Sequence, residues 1–217
     1  LVQDIRTLGA KVVIAGLSSQ QGQILARKNQ AHWAVFFRHG QRPAFGGFNR
    51  IEFKRNGSFD VSPVILGRER LDELQSHLML CFTGLSRIAS EVAKSKIENF
   101  KKRETELKNM GAMVDQAMRI LHDPRTPLDE FGKLLHQNWL YKRSLSDMVS
   151  TPEIDSIYEA AMKAGATGGK ILGAGGGGFL LLYVPPGKKG SVCSALKGWR
   201  EIPLRFEPEG SKIVYVS

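Results

Sequence analysis

The stretch GGKILGAGGGGFLLLYVPP, Gly168 to Pro186, places seven glycines in eleven positions and follows them with six apolar residues and two prolines. A flexible linker pads its glycines with serine and does not run straight into an apolar strand. Bare backbone at this density serves close approach. Either consecutive N–H groups form a nest for an anion, or the missing side chains let another segment pack against the main chain. A tight helix-to-strand turn alone needs about two glycines.

The neighbours of the loop narrow its readings. Gly173, Gly175 and Gly178 satisfy G-x-G-x-x-G, yet a dinucleotide fingerprint follows a strand and opens a helix. Here a helix comes first: STPEIDSIYEAAMKAG starts from a cap at Ser150 or Thr151, with Pro152 in its first turn. Glu153 suits the positive end of its dipole and Gly165 closes it. A strand, Phe179 to Val184, leaves the loop. No G-K-[ST] follows the glycines, which excludes the common P-loop.

Upstream, GGFNRIEFKRNGSFDVSPVIL alternates about Ile51 and Phe53, turns at Asn56-Gly57 and alternates again through Phe59 and Val61, a β-hairpin. His77 to Phe82 reads as a further strand. Helix follows for about seventy residues, broken near Gly111 and at HDPRTP, where Pro124 and Pro127 interrupt it. Leu107, Met110, Val114, Ala117 and Leu121 share one face, and Leu128, Phe131, Leu135, Trp139 and Leu145 another, with Trp139 in the core. A short helix around SVCSALKGW and a last strand, SKIVYVS, complete the pattern. Strands, then helices, then strands without regular alternation predict an α+β fold, an antiparallel sheet covered on one face by helices.

The 217 residues are 42% apolar and 24% charged, ordinary for a globular protein. No apolar run is long enough for a membrane helix, and LVQDIRTLGAKVV lacks the core of a signal peptide. A cytoplasmic location is the expectation. Cys81 and Cys193 stand apart and both read as small buried apolar residues, with no disulfide and no metal set assigned. The net charge of +10 favours anionic partners. Its densest run, KSKIENFKKRETELK, interleaves glutamates with basic residues at helical spacings, the pattern of a solvated helix face rather than a nucleic-acid strip.

GGKILGAGGGGF closely resembles the third signature motif of the GHMP kinases. The run LHQNWLYKRSLSDMVSTPEIDSIYEAAMKAGATGGKILGAGGGGFLLLYVPP, with FGGFNRIEF, LCFTGLSRIASEV and RFEPEGSKIVYVS, resembles the branch that phosphorylates manno-heptose phosphates. The resemblance runs from about Phe45 to Ser217, so it divides the chain into a C-terminal domain, 45–217, and a remnant of the N-terminal kinase region, 1–44. It implies ATP-dependent phosphoryl transfer to a sugar with Mg²⁺, partners that are ATP and a sugar phosphate, no nucleic acid or membrane, and leaves a homodimer open. That chemistry asks the protein mainly for positioning and charge stabilisation. By resemblance, Gly173, Ala174, Gly175, Gly176, Gly177 and Gly178 lie beside the ATP phosphates and the acceptor, and Arg87, Lys142 and Ser146 are substrate-binding. On the residues alone, Arg87 is a surface charge at a strand-to-helix turn and Lys142 a solvated helix lysine.

Two departures bear on activity. The family's phosphate loop, P-x-x-x-G-L-G-S-S-A, has a partial counterpart in AGLSSQQGQILARK, where Gly16, Ser18 and Ser19 would cap a helix and bind phosphate, although serines cap helices without any ligand. Many members place an aspartate of G-x-x-D-Q at the acceptor hydroxyl shortly before FGG. In this chain His39 of RHGQRPAFGG occupies that place, and no aspartate occurs between Asp4 and Asp60. Two readings therefore stay open: a GHMP sugar kinase, and a non-catalytic protein of the same fold that keeps the glycine loop without the ATP loop and base.

Overall fold

The computed structural model describes residues 11–15, 17–18, 47–53, 59–85 and 89–206. In chain order these form β1 (Lys11–Ala15), β2 (Leu17–Ser18), β3 (Phe48–Phe53), β4 (Phe59–Pro63), α1 (Arg68–His77), β5 (Leu78–Phe82) and α2 (Ala89–Asn99). A 3₁₀ turn at Phe100–Arg103 leads to α3 (Glu104–His122), α4 (Asp129–Ser144), α5 (Pro152–Lys163), β6 (Gly168–Ile171), β7 (Phe179–Tyr183), α6 (Lys189–Ala195), β8 (Arg200–Ile202) and β9 (Arg205–Phe206). They fall into two compact units. One is Leu66–Pro203, and the other gathers the segments up to Ile65 and from Leu204 on.

In the second unit β3 lies between β1 and β4, antiparallel to both, with Ile51 opposite Val61 and Phe53 opposite Phe59. This is the hairpin read from the alternating residues, and Ile51 is its buried centre. The turn at Asn56-Gly57 and the strand SKIVYVS lie outside the described residues. β2 pairs with β9, and Phe48 stacks on Phe206 at 5.5 Å.

The Leu66–Pro203 unit is the α+β layer. Its antiparallel sheet runs β6-β7-β5-β8. Cys81 faces Leu180 and Met79 faces Leu182 in register, and Ile171 faces Leu180 from the other side. These five side chains pack with Val92 of α2, Trp139 of α4 and Ile154, Ile157 and Ala161 of α5 into one buried cluster. Each such side chain withdrawn from water contributes about 1.5–3 kcal/mol, so this layer is the main source of stability. Thr151 caps α5 as its sequence foretold, its Oγ1 accepting from the Ile154 N–H at 3.3 Å.

Three expectations are corrected. Helix α3 runs unbroken through Gly111, whose interior cost of about 1 kcal/mol is outweighed by the burial of Met113, Ala117 and Leu121 on one face. The break lies earlier, at Phe100–Arg103, where Arg103 leaves helical geometry at φ −119°, ψ 26°. Cys193 is exposed rather than buried, because α6 turns only Val192 inward. Cys81 is buried, and burial pushes its thiol up to about 12. The basic run is in part the solvated face expected, with Lys108–Glu104 and Arg103–Glu106 pairs at 2.7 and 3.0 Å. Lys96, however, points inward and is 5% exposed.

Candidate phosphate-loop site

β6 is an edge strand, and its open side is covered by helices. The Ile171 carbonyl accepts from Lys142 Nζ of α4 at 2.6 Å. A polar group that an edge would leave bare is thereby satisfied. Contact with α4 is backbone to backbone: a Cβ on Gly168 would overlap the carbonyl oxygen of Gly132 and lie 2.9 Å from the His136 nitrogen.

The glycine loop joins β6 to β7. Leu172 N–H donates to Phe179 O at 2.8 Å and closes its base. Five residues take positive φ: Gly173 at 74°, Gly175 at 115°, Gly176 at 73°, Gly177 at 154° and Gly178 at 92°. Two other segments dock on it. From the turn after α4, Val149 O accepts from the Gly176 N–H at 2.8 Å. From the segment after β5, Leu85 O accepts from the Gly178 N–H at 3.0 Å, while Thr83 donates both its N–H and its hydroxyl to Gly178 O at 2.9 Å. A Cβ on Gly175 would lie 2.7 Å from Val149 O, and one on Gly177 2.5 Å from Leu85 O. These glycines allow main chain to approach main chain, the second of the two uses expected of the run. Gly173 differs: it is exposed, with nothing within 4 Å of where a Cβ would be. The amides of Gly173, Ala174 and Gly177 have no hydrogen-bond partner among the described residues.

Lys142 is buried, not solvated: besides Ile171 O, its ammonium bonds Gly173 O at 2.9 Å. A neutral helix face would have left it in water, but the carbonyls at the root of the loop hold it inside. Lys96 reaches the same loop from α2, donating to Ala174 O at 2.8 Å. Lys170 of β6 donates to Asn138 Oδ1 at 2.6 Å. Burial lowers Lys96 to about 8. Burial and then Lys96 bring Lys170 to about 8. Lys142 is pushed well below the ordinary lysine range by burial, then by Lys170 and Lys96. Sequence reasoning missed Lys96 and Lys170. A single basic residue within an amphipathic helix carries no mark of the carbonyl it will meet.

Ser146 is also buried. Its hydroxyl shares a 2.6 Å hydrogen bond with Ser95 Oγ and accepts from the Met148 N–H at 3.1 Å, which fixes the turn that presents Val149. Leu17 and Ser18 form β2 opposite Phe206 and Arg205 rather than opening a helix. Gly16, Ser19, His39 and Arg87 lie outside the described residues. The donor set around the loop, three ammonium groups, suits an anion and does not fit a Mg²⁺ ion held by the protein. No helix among the described residues is long and apolar enough to cross a membrane.

An α+β unit with a glycine loop clamped between two backbone segments defines the class. Residues 111–199 match the family model described as GHMP kinases C terminal. The chain carries the C-terminal domain of the GHMP kinases. It is 32% identical over 154 residues to D-glycero-alpha-D-manno-heptose 7-phosphate kinase of Campylobacter jejuni, covering 70% of this chain and 45% of that relative. It is 28% identical over 179 residues to a mevalonate kinase of Thermococcus sibiricus, covering 78% and 49%. A crystal structure of a D-glycero-D-manno-heptose 1-phosphate kinase from Bacteroides thetaiotaomicron superposes with a TM-score of 0.51 at 25% identity, covering 80% of this chain and 47% of that one. The chain thus spans about half the length of the curated relatives it matches.

Proposed function

We propose that the chain is the C-terminal part of an ATP-dependent GHMP kinase that transfers the γ-phosphate of ATP to a phosphorylated manno-heptose. The observation that carries this reading is the glycine loop, docked on Val149 and Leu85 and underlain by Lys96 and Lys142. A loop held by backbone and lysine contacts, with amides left over, supplies what phosphoryl transfer asks of a protein, donors fixed at a place where negative charge gathers. The likeness in sequence to a heptose 7-phosphate kinase, 32% identical against 28% for a mevalonate kinase, supports the sugar-phosphate acceptor over mevalonate. ATP brings Mg²⁺ with it.

The test is a graft. Residues 66–203, placed in the Campylobacter jejuni heptose 7-phosphate kinase in exchange for the matching segment, should sustain ADP release with heptose 7-phosphate and none with mevalonate. A folded graft that is silent with the heptose, or that turns over mevalonate, overturns the reading. Residues 1–217 alone should release no ADP above background, because the ATP loop is only partial and His39 stands where an aspartate is usual. That same substitution favours the second reading, a non-catalytic member of the fold. Turnover by the unaltered chain that stops on removing Mg²⁺ would dismiss it.

A further inference from the structure

We infer that Lys96 and Lys142 are positioning residues that orient the peptides of the glycine loop so that the Ala174 N–H faces outward to receive a phosphate group. The inference rests on the kinase reading above and adds to it the device that aims the donor. In a trans peptide the carbonyl of one residue and the N–H of the next point in opposite directions across a rigid plane. The chain has no cis peptides among its described residues. Lys142 Nζ holds the Gly173 carbonyl at 2.9 Å from the buried side. The N–H across that plane is that of Ala174, so it is turned away from the lysine. The next carbonyl, that of Ala174, is drawn inward by Lys96 Nζ at 2.8 Å, so the peptides on both sides of Ala174 are fixed. Gly173 can adopt the required φ of 74° because it has no side chain.

The lysines do not exhaust themselves on the loop. An ammonium group has three donors; Lys96 spends one on Ala174 O and Lys170 one on Asn138 Oδ1. The charges that act on Lys142 are those of Lys170 and Lys96, and the charge that acts on Lys170 is that of Lys96. Lysine charges held in low dielectric repel one another, and an anion beside Ala174 relieves that repulsion. The ligand chemistry is a phosphate monoester or polyphosphate, which either a nucleotide or a sugar phosphate could bring.

The experiment is a titration of the uniformly ¹⁵N-labelled full chain, followed at the Ala174 amide. Inorganic phosphate should shift that resonance saturably, whereas chloride at equal ionic strength should not. ATP with Mg²⁺ and mannose 6-phosphate form separate arms, and whichever shifts Ala174 at lower concentration identifies the source. Lys96→Met should weaken the phosphate response by about tenfold or more, the effect of losing one hydrogen bond from a charged donor. Lys96→Arg should restore most of it, and the rest of the spectrum should stay in place. An Ala174 amide indifferent to phosphate in the wild type overturns the inference without recourse to any variant. So does a folded Lys96→Met protein that responds as the wild type does. A silent graft with an intact Ala174 response would refute the kinase reading alone, and an active graft with a flat response would refute this one alone.

Discussion

Replacing Gly175 by alanine tests the docking of the loop most directly. Gly175 has φ of 115°, and an added Cβ would lie 2.7 Å from Val149 O and 2.9 Å from Val149 Cα. Both neighbours are main chain and cannot swing aside as a side-chain tip would. A residue held in such a sparsely populated conformation costs on the order of 1–3 kcal/mol. Relief comes from moving the loop off Val149, so the first bond to yield is Gly176 N–H to Val149 O, 2.8 Å in the native chain. If the whole cost falls on that local opening, hydrogen exchange at the Gly176 amide should speed up by about 5- to 150-fold, tenfold for each 1.4 kcal/mol. The assay is native-state exchange followed by NMR on wild type and Gly175→Ala, with urea unfolding to fix global stability. Amides of Leu180 and Leu182, in the centre of the sheet, should change only as far as global stability does. Unchanged protection at Gly176, or equal acceleration at every amide, would refute the argument that Gly175 exists for the approach of Val149.

Two further outcomes follow from the packing and the lysines. Gly168→Ala should destabilise by about 1–3 kcal/mol, the usual range for overpacking, since its Cβ overlaps Gly132 O. For a chain of this size that is a fall of about 2–4 °C in Tm per kcal/mol, and a thermal scan in which Tm does not move contradicts it. Lys96 and Lys170, held near 8 against an ordinary 10.5, bind fewer protons folded than unfolded above pH 8, so stability should rise with pH there. The slope is at most about 1.4 kcal/mol per pH unit for each lysine. Cys81, raised from 9.0 to about 12, keeps its proton only when folded and opposes the trend above pH 9. The rise should therefore show in urea midpoints between pH 8 and 9 and be shallower in Lys96→Met; an equal slope in the variant would argue against it.

What could be read from the residues depended on whether their meaning was local. The β3–β4 hairpin, the strand read as His77 to Phe82, the Thr151 cap and the buried Trp139 each follow from spacing or side-chain type, and each is found, the strand starting one residue later because His77 closes α1. Helix α1, RERLDELQSH, left no trace because it buries only Leu74. Strand β6, GGKI, hid among the loop glycines: Gly168 is bare for the sake of α4, a partner some thirty-six residues earlier whose closeness no local pattern encodes. The same holds for the candidate site. Glycines marked the loop, but what grips it are carbonyls and two lysines from distant helices. A buried lysine looks on paper like any other, because lysines are rarely buried.

The Gly132–Gly168 contact sets a dimension as well as a packing. With no side chain on Gly168, the backbones of α4 and β6 meet directly, and the bare Gly132 leaves room for Tyr183 and Thr167. Lys142 stands ten residues further along the same helix, about 15 Å at 1.5 Å per residue, and from there its stem must reach Ile171 O and Gly173 O. The reach of a lysine is fixed by four carbon–carbon bonds, so any gap opened at the two glycines is subtracted from the hydrogen bonds at the far end. Calibration of the loop is thus performed at one end of α4 and delivered at the other. Substitutions at Gly132 or Gly168 that the fold survives should still detune the loop, and compensating changes would be sought at position 142, in the length of the side chain, rather than beside the glycines themselves.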